Sequence, residues 1–157
     1  MIVAERKPFD EIYNNARKHK NVLILGCGTC VTVCMAGGEK EVGVLSSQVD
    51  LAAREKGDTI TVTEHTITRQ CDREFFDEQT ARLIQQADAV ISTACGVGVQ
   101  YCVECFPEVL VYPALNTKFF GANVEQGIWS ERCGGCGDCV LDRFGGVCPV
   151  ARCSKSL

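Results

Sequence analysis

No stretch of this chain could cross a membrane as a helix. Its longest apolar runs, such as Val22 to Leu25, are strand-length, and none approaches the roughly 20 residues a span requires. Basic clusters are missing as well. The formal net charge is -4 at pH 7 and no Lys/Arg patch stands out, which argues against a nucleic-acid surface. The first eight residues, Met1 to Pro8, hold no apolar core and no cleavage site, so they do not read as a signal peptide. These absences lead to the expectation of a cytoplasmic, reducing setting, where structural disulfides are rare. Histidine is scarce, with His19 between two lysines and His65 isolated. No Ser–His–Asp arrangement, spaced carboxylate pair, internal repeat or low-complexity tract is visible. The residues give no sign of hydrolytic or general acid–base catalysis.

What the chain has in excess is cysteine, 12 of 157 residues. Ten are candidate metal ligands, eight of them in two clusters at metal-ligand spacing and Cys71 and Cys95 standing singly. The first cluster is Cys27-Gly-Thr-Cys30-Val-Thr-Val-Cys34, and the last is Cys133-Gly-Gly-Cys136-Gly-Asp-Cys139, followed by Cys148-Pro149 and Cys153. Hydrophobic residues make up 46%, enough for a packed core in about one domain with a small appendage.

The periodicity predicts alternating elements. Pro8 to about Lys18 reads as a helix with Phe9, Ile12, Tyr13 and Ala16 on one face. Asn21 to Gly26 is a continuous apolar run, as expected of a strand buried on both sides. Gly37 to Lys56 is helical in pattern, through Val42, Leu45, Val49 and Ala52–Ala53, with Gly57 as its stop. Thr59 to Thr63 reads as a second strand. Asp72 to about Ala87 reads as a helix, Ala89 to Thr93 as a third strand, Gly98 to Cys105 as a short helix, and Val109 to Tyr112 as a fourth strand. This order predicts an α/β fold with an open, mainly parallel four-stranded Rossmann-like sheet. Residues 1–118 form the sheet domain in this reading. Residues 119–157, Gly- and Cys-rich with little periodicity, form a small irregular metal-binding module.

Cys27 follows the first strand directly. Cys71 comes after the second and Cys95 two residues after the third. Three strand ends therefore deliver thiols to one edge of the sheet, the carboxyl edge where such sheets place their ligands. A four-thiolate site could use Cys27, Cys71, Cys95 and either Cys30 or Cys34. The alternative set is Cys27, Cys30, Cys34 and one of the other two. The weaker readings are packed core cysteines, a dinucleotide fingerprint begun by Gly26-Cys27-Gly28, and thiol exchange at Cys27-x-x-Cys30.

The spacing of Cys133, Cys136 and Cys139 matches the first three ligands of a bacterial ferredoxin cluster. Cys148-Pro149 has the form of the fourth ligand, with Cys153 as a second candidate. The intervening glycines let the backbone bend and aim N–H groups at sulfur. Structural zinc on Cys133, Cys136, Cys148 and Cys153 is the competing reading. Cys102 and Cys105 remain, three apart on the short helix, as a packed pair or further ligands. Arg69 and Arg73 flank Cys71 as surface residues or counter-charges. Trp129 and the Phe119–Phe120 pair could anchor the last segment on the sheet or face a partner.

Several segments resemble a known family. They are Leu25-Gly-Cys-Gly-Thr-Cys-Val-Thr-Val-Cys34 with Gly37-Gly-Glu-Lys-Glu-Val42, Arg69-Gln-Cys71, Ala94-Cys-Gly-Val-Gly-Val-Gln100, Tyr112-Pro-Ala-Leu-Asn116, and the run from Cys133 to Cys153. Together they are similar to the MetV family, the small cysteine-rich subunit of bacterial methylenetetrahydrofolate reductase, also found as a C-terminal domain of such reductases. The thiolate constellations and the absence of catalytic groups lead to the expectation of an electron-transfer subunit with two [4Fe–4S] clusters, with zinc at one site as the alternative. The resemblance implies a cysteine-rich subunit that does not bind folate. It also implies a partner, a flavin-containing barrel subunit that reduces methylenetetrahydrofolate to methyltetrahydrofolate, with a further electron-input subunit possible in the complex. That places the chain in the reductive one-carbon branch of acetogens and related anaerobes, the Wood–Ljungdahl pathway. Two departures stand out: Cys102 and Cys105 occupy positions where the family leads one to expect other residues, and a Gly- and Cys-containing tail is expected beyond Ser156-Leu157.

Overall fold

The computed structural model describes residues 1–137 and 139–153. Asp138 of the Cys133–Cys139 motif and the Ser156-Leu157 end lie outside the described residues. The elements run β1 (Ile2–Arg6), α1 (Phe9–Ala16), β2 (Asn21–Cys27), α2 (Cys30–Val33), α3 (Glu39–Lys56), β3 (Thr61–Ile67), a 3-10 turn (Arg73–Phe75), α4 (Glu78–Gln86), β4 (Ala89–Ser92), α5 (Gly96–Cys105), β5 (Leu110–Pro113), β6 (Leu115–Glu125), β7 (Ile128–Cys133) and a second 3-10 turn (Leu141–Phe144).

Four strands form the expected parallel sheet in the order β3-β2-β4-β5. The central strand β2 is buried over six successive residues from Val22 to Cys27, which is why it reads as an unbroken apolar run. Its alternate side chains face opposite layers. Val22 and Ile24 pack with Ile12, Tyr13 and Ala16 of α1 and with Val42, Leu45 and Val49 of α3. Leu23 and Leu25 pack on the other face with Ile84 of α4 and Cys102 of α5. Glu41 accepts the Gly38 N–H at 3.0 Å at the start of α3, and Gly57 ends that helix at φ 71°.

Two elements differ from expectation. β3 begins and ends later than the β-branched run suggested, because its register is set by β2, with Asn21 opposite Thr61 and Cys27 opposite Ile67. β3 is an edge strand that fully buries only Ile67, so its own sequence marks it weakly. The helix expected from Asp72 is two pieces. Asp72 accepts the Glu74 N–H at 3.4 Å and caps only the 3-10 turn, whereas Asp77 accepts the Thr80 N–H at 2.8 Å and starts α4.

A second sheet was not expected. It is antiparallel, three-stranded and ordered β1-β6-β7. β6 crosses residues 118 and 119, and its exposed residues outnumber its buried ones, so no alternation betrays it. This sheet closes over the carboxyl edge of the first. Val3 and Ala4 of β1 and Leu115 of β6 pack against Val31, Ala36 and Ala94, with Phe119 and Trp129 at the margin.

α1 is tied to the loop after α3. The Tyr13 hydroxyl donates to Asp58 Oδ2 at 2.6 Å, and Arg17 reaches Asp58 Oδ1 at 3.2 Å. Burial, then the bond to Asp58, push the Tyr13 phenol above its ordinary 10.0. The same bond holds Asp58 below its ordinary 3.8. The Tyr–Asp bond therefore stabilises the fold between those values. It weakens as pH falls below 3.8, where Asp58 protonates, and as pH rises above 10.0, where Tyr13 would ionise. The wild-type advantage in urea midpoint over Tyr13→Phe should be largest near neutral pH, shrink at low pH and vanish or reverse at high pH, where only the wild type has a buried phenol to ionise. A difference that stays constant across pH would contradict the assignment.

Candidate metal centres

The parallel sheet ends in a row of cysteine loops. Cys27 is the last residue of β2, Cys71 ends the loop after β3, and Cys95 caps α5 just after β4. Cys27 and Cys95 are buried, whereas Cys71 is exposed with its thiol partly enclosed. These three are neighbours: burial pushes the Cys71 thiol up, and the nearby Cys27 and Cys95 sulfurs push it the same way. Cys30 opens α2 and is half-buried.

Cys34 is differently placed. Its thiol donates to the carbonyls of Ala4 and Val31, each at 3.6 Å, and is buried against β1. Burial pushes this thiol up as well, the first of several causes. The loop after α2 then returns to the sheet through Gly37, whose carbonyl accepts the Cys27 N–H at 3.0 Å and the Thr93 hydroxyl at 2.7 Å.

The second group lies at the end of β7, which delivers Cys133 opposite Phe120 of β6. Cys133, Cys136, Cys139 and Cys148 line one cavity of about 340 Å³, together with the apolar Val140, Leu141 and Val150. Cys153 is not on its wall. Gly135 and Gly137 adopt φ 65° and 83°, which lets the chain wrap the cavity at a left-handed backbone that side chains disfavour. Backbone N–H groups point at sulfur, among them Gly135 to Cys133 at 3.4 Å and Ala151 to Cys148 at 3.5 Å.

Four thiols on one wall form a donor set of the kind that holds either a thiolate-bound iron–sulfur cluster or a zinc ion. Four sulfurs at about 2.3 Å from one zinc would lie about 3.8 Å apart and close over it. Among the described residues, no three or more His, Cys, Asp or Glu side chains are gathered closely enough to hold a metal ion as they stand.

Residues 112–157 match a family model described as methylene-tetrahydrofolate reductase C terminal. The match starts in β5 and takes in β6, β7 and the run from Cys133 to Cys153. Cys27, Cys30, Cys34, Cys71 and Cys95 lie outside it. No curated protein and no solved structure matches the chain. Similarity to the reductase C terminal thus covers the four-cysteine cavity and the hairpin that carries it, and links this segment to methylenetetrahydrofolate reductase.

The remaining residues sort by packing. Cys102 is fully buried on α5 between Leu25 and Ile84, and burial pushes its thiol up to about 12, with Cys105 adding to the shift. It is a core side chain, and Cys105 is half-buried beside it. His19 lies 3.2 Å from the Tyr112 hydroxyl and His65 lies 2.9 Å from that of Thr80. Arg69 stacks over Phe75 at 5.0 Å. The dinucleotide alternative lacks its helix, since Gly26-Cys27-Gly28 is followed only by the four-residue α2, and Asp50 sits in α3 paired with Arg54 at 2.7 Å. No helix among the described residues is long and apolar enough to cross a membrane. What sequence reasoning missed is the buried polar set Gln70, Ser92 and Thr93 beneath the cysteines, because single polar residues in a core leave no periodic signal.

Proposed function

We propose that this chain is a cytoplasmic iron–sulfur electron-transfer subunit of the MetV type. In this reading it passes electrons to the flavin of a partner barrel subunit that reduces methylenetetrahydrofolate to methyltetrahydrofolate, within a complex that could include a further electron-input subunit. The observation that carries the reading is the four-cysteine cavity, which lies within the segment similar to the reductase C terminal.

Cys133, Cys136, Cys139 and Cys148 would hold one [4Fe–4S] cluster, with the Gly135 and Ala151 amides hydrogen-bonded to ligand sulfurs. Cys27, Cys71, Cys95 and Cys30 would hold the other at the sheet edge. Cys30 is preferred to Cys34 because the Cys34 thiol is already bonded to two carbonyls in the core. Residues 1–118 would then carry one centre and residues 119–157 the other, the two stretches being joined within β6. Bound clusters supply one-electron transfer, and the protein's part is to hold them and, at the Cys133–Cys148 site, to tune the potential through N–H groups aimed at sulfur.

Metal and sulfide analysis of anaerobically purified protein, with ultraviolet–visible and EPR spectra, tests this. Iron and acid-labile sulfide in equal amounts, at two clusters per chain, are expected. A colourless protein with stoichiometric zinc and no iron would overturn it in favour of a structural or assembly role.

A further inference from the structure

The cysteines proposed for the sheet-edge site arrive on three separate loops, and one buried side chain links all three. Gln70, immediately before Cys71, has no solvent exposure. Its amide nitrogen donates to the carbonyl of Leu25 at 2.8 Å and to that of Gly26 at 3.1 Å, holding the end of β2 just ahead of Cys27. Its amide oxygen accepts the Ser92 hydroxyl at 2.7 Å. Ser92 Oγ in turn accepts the N–H of Ala94 at 3.2 Å, directly ahead of Cys95. The reverse orientation of the amide would set its oxygen against two carbonyl oxygens, so the network fixes which end points where. α5 lies close on top: a Cβ at Gly98 would stand 3.0 Å from Gln70 Cβ and 2.8 Å from Ala94 Cβ.

A side chain placed only to fill this space would be apolar. A buried amide with both ends satisfied fixes direction as well as distance, and leaving either end unmatched is costly. We propose that Gln70 is a positioning residue that sets the mutual spacing of Cys27, Cys71 and Cys95. The proposal rests on reading those cysteines as cluster ligands. It assigns Gln70 no contact with the cluster itself. Its action is through the loops, at the residues next to each sulfur.

The test uses the full chain reconstituted anaerobically with iron and sulfide. Each EPR signal is assigned to its site by comparison with Cys95→Ala and Cys139→Ala. Gln70→Leu should leave the signal of the Cys133–Cys148 cluster unchanged. The sheet-edge cluster should change its g-values and midpoint potential, or be lost, taking the chain from two clusters to one. Ser92→Ala, which removes one link only, should shift the same signal to a smaller extent. Folded Gln70→Leu protein with both clusters, unchanged g-values and unchanged potential would overturn the proposal even if its melting temperature fell. If Gln70→Leu fails to fold, an unchanged sheet-edge signal in Ser92→Ala overturns it instead. Wild-type protein with no cluster dependent on Cys95 would remove the premise, a result distinct from either of these.

Discussion

Cys139→Ala should abolish cluster binding in the C-terminal segment, while Cys153→Ala should leave it intact. The two substitutions separate the two chemistries. In the cluster reading the ligands are the four cysteines on the cavity wall, Cys133, Cys136, Cys139 and Cys148, and Cys153 is not among them. In the zinc reading the ligands are Cys133, Cys136, Cys148 and Cys153, and Cys139 is dispensable. The expected pattern is therefore opposite in sign for the same pair. Changing an outer partner of a ligand costs roughly 10- to 100-fold in metal affinity, and losing a ligand costs at least as much. Affinity for iron at this site should thus fall at least about tenfold in Cys139→Ala, and the weakened cluster should be lost on desalting. Iron and zinc content after desalting, with EPR for the remaining cluster, reads the outcome. Zinc retained in Cys139→Ala and lost in Cys153→Ala would reverse the assignment.

Gly37→Ala should be among the most destabilising single substitutions in the chain. Gly37 lies where the turn after α2 meets the ends of β2 and β4, and a Cβ there would overlap the backbone carbonyl of Thr93. The obstacle is main chain held by the Thr93 N–H to Leu25 bond at 2.9 Å, so it cannot swing aside as a side-chain tip would. Overpacking typically costs 1–3 kcal/mol, and a clash with fixed backbone belongs at the upper end, about 3 kcal/mol or more. For a chain of this size that corresponds to a fall in melting temperature of roughly 6–12 °C. Gly43→Ala provides the contrast. Its Cβ would meet only Glu64 Oε2 at 3.7 Å, an ordinary contact, within α3. There the helix gains about 0.5–1 kcal/mol from replacing glycine. Thermal melts of the two proteins should move in opposite directions. A neutral Gly37→Ala would mean that the loop can withdraw from β4, and that the cysteine edge is less rigid than described.

The parts of the fold that were legible are those whose burial is periodic. β2, β4, α1 and α3 each bury a continuous or one-sided apolar set, and their positions follow from Val22–Leu25, Ala89–Ile91, Ile12–Ala16 and Val42–Ala53. The convergence of Cys27, Cys71 and Cys95 was legible for the same reason, since parallel strands in βαβ units put their carboxyl ends on one edge. β1, β6 and β7 were not legible. β6 is largely exposed, β1 buries only Val3 and Ala4, and β1 finds its partner more than 100 positions along the chain, at Leu115 to Phe120. Pairing at that separation is a tertiary event with no local pattern.

Sequence by itself determined that this protein concentrates thiols in two places, because residue type and spacing are covalent facts. It could not say which thiols face a common space. Cys30 and Cys34 were equivalent by spacing, and Cys148 and Cys153 were both candidates for the fourth position. Only the tertiary structure turned Cys34 toward the Ala4 carbonyl and put Cys148, not Cys153, on the cavity wall. The physical reason is the same in both cases. A side chain's direction is set by what packs against its backbone, and here that is β1 against α2 and the wrap of the chain through Gly135 and Gly137, neither of which is written in the spacing of the cysteines.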